Sequence, residues 1–248
     1  MYRLELTLLD LAGGAGIVLG ALSSGLVGLG FPVIAVPLMT LAYGLDTTVV
    51  VTTLPTLAID VVNLWSNREH RAGTAAVSFT LWAMVGAAAG VIVRDDVSET
   101  TLLIVLTVVL ALYLVTQVFG RIDLRGAARH PATEVSAGGL AGLFQATIGV
   151  SGPIVGIFFI NRTTTREAFI FSAAVAFTVS GAVRAGGLTM AGAFTASRFA
   201  AGLAITAVAL ALRALGAHYG SSMEVGLFRR AFTTILAISL IFLVFKIV

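Results

Sequence analysis

The chain has 248 residues, 58% of them hydrophobic and only 11% charged, with a formal net charge of +3 and a mean hydropathy of +1.03. A soluble domain carries roughly 25% charged residues, so this composition excludes a water-soluble fold and leaves an all-α polytopic integral membrane protein. The absence of cysteine excludes disulfides, thiol catalysis and Cys-ligated metal, and no basic cluster is long enough to engage nucleic acid.

The first ten residues, MYRLELTLLD, contain Glu5 and Asp10 and no small-residue cleavage site, so they are not expected to act as a cleaved signal peptide. Eight hydrophobic segments follow, at 11–45, 47–67, 72–93, 100–120, 135–161, about 166–183, about 195–212 and 226–245. Each is long enough, or nearly so, for a helix across ~30 Å of hydrocarbon. The loops are short, and the longest is the basic stretch RIDLRGAARHPATE at 121–134. The expected organisation is a first membrane repeat over 1–120, a connecting loop over 121–134 and a second membrane repeat over 135–248.

Sliding the chain against itself by 119 residues supports the two repeats. Gly20 then meets Gly139, Gly30 meets Gly149, Gly73 meets Gly192, Arg94 meets Arg213 and Thr53 meets Ser172. Asp46 meets Thr165, and both residue types cap helices. Each match alone is weak, but their order and the shared spacing of apolar runs point to duplication, which is common in transporters.

The opening segment of each half is anomalous. Leu11 to Leu45 is 35 residues without a charge, or ~50 Å as one helix, well beyond the hydrocarbon core. It is strongly tilted, broken, or re-entrant. A break would fall at Gly28-Leu29-Gly30-Phe31-Pro32, with a counterpart at Thr147 to Pro153. Arginine placement bears on the choice. If all eight segments span, the basic residues divide nine to six; if segments one and five re-enter, they divide ten to five. The positive-inside rule favours the second arrangement. It makes the halves inverted, with both termini outside.

At these glycine stretches the chain resembles the sulfite exporter TauE/SafE family, also called the 4-toluene sulfonate uptake permeases. That family has a glycine-rich segment followed by proline in each half, then a helix opening with a small polar pair. The matching residues are Gly28-Leu29-Gly30-Phe31-Pro32 with Thr52-Thr53, and Gly149-Val150-Ser151-Gly152-Pro153 with Ser172. The family's triple glycine is interrupted here by Phe31-Pro32 and by Val150-Ser151, which bears on substrate identity more than on fold. The resemblance implies transport of small sulfur-containing anions such as sulfite, sulfoacetate or other organosulfonates, with proton or ion coupling, in the bacterial cytoplasmic (inner) membrane. No His/Asp/Glu cluster is present in the sequence to hold a metal, and no cofactor is expected. Oligomeric state stays open, with a homo-oligomer as one option.

Physical chemistry gives the two breaks a role. Unpaired backbone groups at membrane depth are tolerated only inside protein or along a cavity. There, free N–H groups and a helix N-terminus favour an anion. Gly28, Gly30, Phe31, Pro32, Gly149, Val150, Ser151, Gly152 and Pro153 are therefore substrate-binding candidates. Packing of small residues is the plainer alternative, and it suits Gly16, Gly20 and Gly25 better. Thr52, Thr53, Gln145, Thr147 and Ser172 add hydrogen-bonding candidates, although membrane Ser and Thr often bond to their own helix backbone.

Asp60 is the acidic residue well inside a span, with Asn63 one turn on. An intramembrane carboxylate marks a coupling group or an arginine partner, unless it lies near enough to the helix end to reach water. Arg184 ends the sixth segment and Arg198 opens the seventh. Interfacial snorkelling is the simpler reading for both, and the alternative is that Arg184 guides an anion and shares the coupling role with Asp60 and Asn63.

The segment Gly149-Val150-Ser151-Gly152 also resembles the Gly-x-Ser-Gly of rhomboid intramembrane proteases. The three histidines, His70, His130 and His218, all fall in expected loops, so Ser151 lacks a base. A non-transporting membrane subunit would have an apolar, filled core at the breaks.

Overall fold

The computed structural model describes residues 8–28, 30–71, 74–119, 130–219 and 225–247. Most of the basic connecting loop, with Arg121, Arg125 and Arg129, lies outside the described residues, as do Arg3, Leu29 and Gly73. The described residues form ten α-helices and one 3₁₀ turn: α1 (Leu8–Val27), α2 (Phe31–Tyr43), α3 (Leu45–Ser66), α4 (Thr74–Val93), the turn Arg94–Asp96, α5 (Glu99–Phe119), α6 (Pro131–Thr147), α7 (Gly152–Ile160), α8 (Arg166–Met190), α9 (Ala196–Tyr219) and α10 (Val225–Ile247). Six of them are long and apolar enough to cross a membrane.

Contacts between helices set their directions. Tyr43 Oη donates to Asp10 Oδ1 at 3.3 Å, Gly16 lies against Leu38 and Ala35, and Gly20 lies against Phe31. Helix α2 therefore runs back along α1 to the end of the bundle where α1 began, the upper end. Small residues make this approach possible, since a Cβ on Gly20 would stand 2.7 Å from the Phe31 carbonyl oxygen. Helix α3 then descends, bringing Asn63 to Gly28 at the lower end. Helix α4 returns upward, and Arg94 meets Asp46.

The second half starts from the lower end. Helix α6 climbs parallel to α4, with Gly138 against Phe79, Gly142 against Ala83 and Gly90 against Leu143. Helix α7 turns back down, and Arg162 pairs with Glu134 where α6 began. Helix α8 rises from Arg166, which donates to Leu26 O at 2.8 Å, to Gly187 against Val91. Helix α9 descends from Arg198, paired with Asp46, to Arg213 beside Asn63. The last helix ends at the upper end, where Lys246 Nζ donates to Thr40 O at 2.6 Å.

Helices α3 and α8 cross at the centre, with Gly181 against Leu57. Apolar clusters surround them. One joins α2, α5, α10 and the segment after α6 through Val36, Leu106, Leu243 and Ile148. A second joins α4, α7 and α8 through Phe79, Phe158, Phe159 and Phe177, with the Phe79 and Phe158 rings stacked at 4.6 Å between centroids. The outer faces present large hydrophobic side chains to lipid. Trp65 is exposed, and the guanidinium of Arg68 sits 4.7 Å above its ring, as suits an interfacial aromatic.

Candidate functional site

Each opening segment becomes two helices because its glycines take conformations that other residues avoid. Gly28 and Gly30 have φ of +83° and +125°, and Gly149 has φ of +74°. These lie in the left-handed region, which L side chains occupy only with strain. Proline then suits the restart, since it lies in the first turn of both α2 and α7 and needs no N–H partner there. The first turns of α2 and α7 touch, for a Cβ on Gly152 would stand 3.0 Å from Val33 Cγ2. Neither N-terminus carries a side-chain cap, so the positive ends of two short helices come together inside the bundle.

Arg184 stands at the second break. The uncharged run closes near Val183, and an arginine at that point is expected at the membrane interface. In the structure α8 continues to Met190, and Arg184 is fully buried at 0% exposure. The reason is its place on α8, which puts it on the face that crosses α3 and meets α6. Its Nη1 donates to Gln145 O at 3.0 Å, and a Cβ on Gly149 would stand 3.3 Å from the same nitrogen. Among the described residues its Nε and Nη2 have no hydrogen-bond partner. Gln145 is held in turn, because its Oε1 accepts from Ser151 Oγ at 2.7 Å, while its Nε2 is also unpartnered. Three N–H-bearing nitrogens thus sit unpaired and buried beside one break.

The hydroxyl candidates behave differently. Thr52 donates to Thr48 O, Thr53 to Val49 O, Thr147 to Leu143 O and Ser172 to Ala168 O, all at 2.7–2.9 Å. Their protons are used within their own helices, which leaves oxygen lone pairs but no donor for an anion. Val150 and Phe31 have side chains inside apolar clusters, so only their backbones could meet a polar ligand. Pro153 is buried near the start of α7.

Asp60 is buried at 5% exposure. Among the described residues its Oδ2 has no hydrogen-bond partner. Asn63 is tied to the first break. Its Nδ2 donates to Gly28 O at 2.7 Å, a carbonyl freed by the break, while its Oδ1 accepts from Arg213 Nε and Nη2 at 3.1 and 2.7 Å. The two guanidinium donors orient the amide so that its N–H faces Gly28.

Several polar residues here were not singled out by the sequence reading. Arg213 appeared only as the repeat partner of Arg94. Asp46 was expected to cap α3, yet the residue preceding α3 is Gly44 with no side-chain cap, and Leu45 N donates instead to Glu99 Oε1 at 3.0 Å. The Asp46 carboxylate binds two arginines from other helices, Arg94 and Arg198. Thr165, which an offset of 119 residues sets against Asp46, does cap, accepting from Ala168 N at 3.2 Å. Only distance along the chain hid the Asp46 contacts, since Arg198 lies 152 residues away.

Among the described residues no cluster of three or more His, Cys, Asp or Glu side chains is placed to hold a metal ion. A search of curated proteins found no match, and neither did a search of solved structures. The model of one family matches nearly the whole chain, over residues 12–243: the chain belongs to the sulfite exporter TauE/SafE family and is an integral membrane protein of sulfite-exporter type.

Proposed function

We propose that the chain moves a small sulfur oxyanion, sulfite or an organosulfonate, across the bacterial inner membrane through a site at the second break. The observation that carries this reading is Arg184, fully buried with Nε and Nη2 unpartnered. An unpaired buried charge costs several kcal/mol, and an anion is the partner that would remove that cost. A sulfonate or sulfite face offers two oxygens to a guanidinium fork. Gln145 Nε2 and the N-terminus of α7 lie beside the same fork and would share the charge.

The reading includes the architecture. The first half, 1–120, and the second, 135–248, are taken as inverted repeats joined by 121–134, each opening with a re-entrant pair of helices. The return of Tyr43 to Asp10 and of Arg162 to Glu134 supports this, and so does the start of the two halves from opposite ends. The basic loops then face the cytoplasm. Asp60, with Asn63 beside it, serves as the coupling group, its free Oδ2 able to take up a proton as the anion binds nearby.

Uptake into proteoliposomes tests the reading. Sulfite, thiosulfate, sulfonates and carboxylates are offered at two pH values. Sulfur oxyanions should be carried in preference to carboxylates, and Arg184→Gln should abolish that transport. Equal handling of all anions, or none of any, would refute it.

A further inference from the structure

The upper end of the bundle holds two arginines around one carboxylate, that of Asp46. Asp46 Oδ1 lies 2.5 Å from Arg94 Nη2, and Asp46 Oδ2 lies 2.8 Å from Arg198 Nη2. The guanidiniums come from the turn after α4 and the first turn of α9, and the carboxylate from the first turn of α3. Arg94 is nearly buried at 7% exposure, whereas Asp46 is 58% exposed and can swing into water. Beside Asp46 and Arg94 is a pocket of about 160 Å³, which Asp95, Glu99, Leu102 and Thr147 also line. Thr147 is the last residue of α6, directly before the second break, so the pocket adjoins the segment that carries Gly149.

We propose that Arg94 and Arg198 form a separate oxyanion site at the upper mouth, held closed in this structure by the carboxylate of Asp46 acting as a tethered stand-in. A sulfite or sulfonate face presents two oxygens much as a carboxylate does, and two guanidiniums recognise either. An anion leaving Arg184 passes Thr147, displaces Asp46 from the two arginines, and departs when Asp46 returns. Asp95 and Glu99 line the same pocket, and their negative charge makes the site a weak one, which suits release. The exchange moves no covalent bond. It trades one anionic partner of Arg94 and Arg198 for another, and the displaced carboxylate is hydrated. This inference rests on the reading of the chain as an anion carrier.

The test counts anions on the purified full-length protein by equilibrium dialysis with radiolabelled inorganic sulfite, using chloride as the background salt. Asp46→Asn removes the tethered competitor and should bind one more sulfite per chain than the wild type. The double variant Asp46→Asn/Arg198→Gln should lose that additional anion. If Asp46→Asn does not purify, Asp46→Ser removes the carboxylate with less bulk and carries the same comparison. A variant without Asp46 that binds no more sulfite than the wild type overturns the proposal, and so does an additional anion that survives loss of Arg198. The wild-type count reports on the central site, whereas the difference between variant and wild type reports on the mouth, so either reading can fail alone.

Discussion

Replacing Arg184 separates a ligand-binding role from a packing role, because the two predict opposite effects on stability. The side chain makes one hydrogen bond to protein, from Nη1 to Gln145 O, and leaves Nε and Nη2 unpartnered. If those two nitrogens hold the oxyanion, Arg184→Gln removes two charge-assisted hydrogen bonds worth ~1.5–3 kcal/mol each. The total of ~3–6 kcal/mol corresponds to a loss of affinity of roughly 100-fold to 10,000-fold. Arg184→Lys keeps the charge and loses the fork, so it should lose about one such bond and roughly 10-fold to 100-fold. Arg184→Met fills similar space without charge. Replacing a buried ion by an apolar group is often neutral or stabilising by ~1–4 kcal/mol, so the ligand-free protein should melt at the same or a higher temperature. The shift that sulfite produces in the wild type should vanish. The assay is a thermal melt with and without sulfite, beside initial rates of proteoliposome uptake. Wild-type transport with unchanged KM in Arg184→Gln would refute the reasoning. So would a Met variant that unfolds while sulfite still stabilises what remains, because Arg184 would then be a packing residue.

Gly149→Ala should lose stability by ~1–2 kcal/mol from the positive φ alone, and its methyl group would crowd Arg184 Nη1 at 3.3 Å; chemical denaturation and sulfite affinity should worsen together, and a variant matching the wild type in both would show that the break is not tight. Asp60→Asn keeps the size of the side chain and removes its charge, so it should abolish the response of transport to an imposed pH difference while leaving downhill exchange partly intact, as measured by exchange across proteoliposomes with and without a pH step. Unchanged pH dependence in that variant would exclude Asp60 from coupling. Reporter fusions after residues 125 and 164 should report the same side of the membrane, because α6 and α7 form a return path between them; opposite sides would sink the re-entrant arrangement.

Much of the molecule was legible because the bilayer imposes its demands on each segment separately. The uncharged runs marked the membrane helices, since a span must satisfy its backbone within itself and meet lipid with apolar side chains. The glycine–proline stretches marked the ends of α1 and the starts of α2 and α7, since φ is a local property and these residues control it. Helix ends were read less well. The sixth segment was closed at an arginine because a charge ordinarily signals water, yet α8 carries Arg184 inside and continues to Met190. Asp46 was assigned to a cap by its position, and its carboxylate went to arginines on other helices. In both cases the partner comes from a distant part of the chain: Gln145 lies 39 residues from Arg184, and Arg198 lies 152 residues from Asp46. The amino-acid sequence by itself determined what each segment must avoid, exposure of charge to lipid and strain at φ. Only the tertiary structure decided which polar groups share an interior, because burial makes a charge seek its partner in space and the chain order carries no distance between helices.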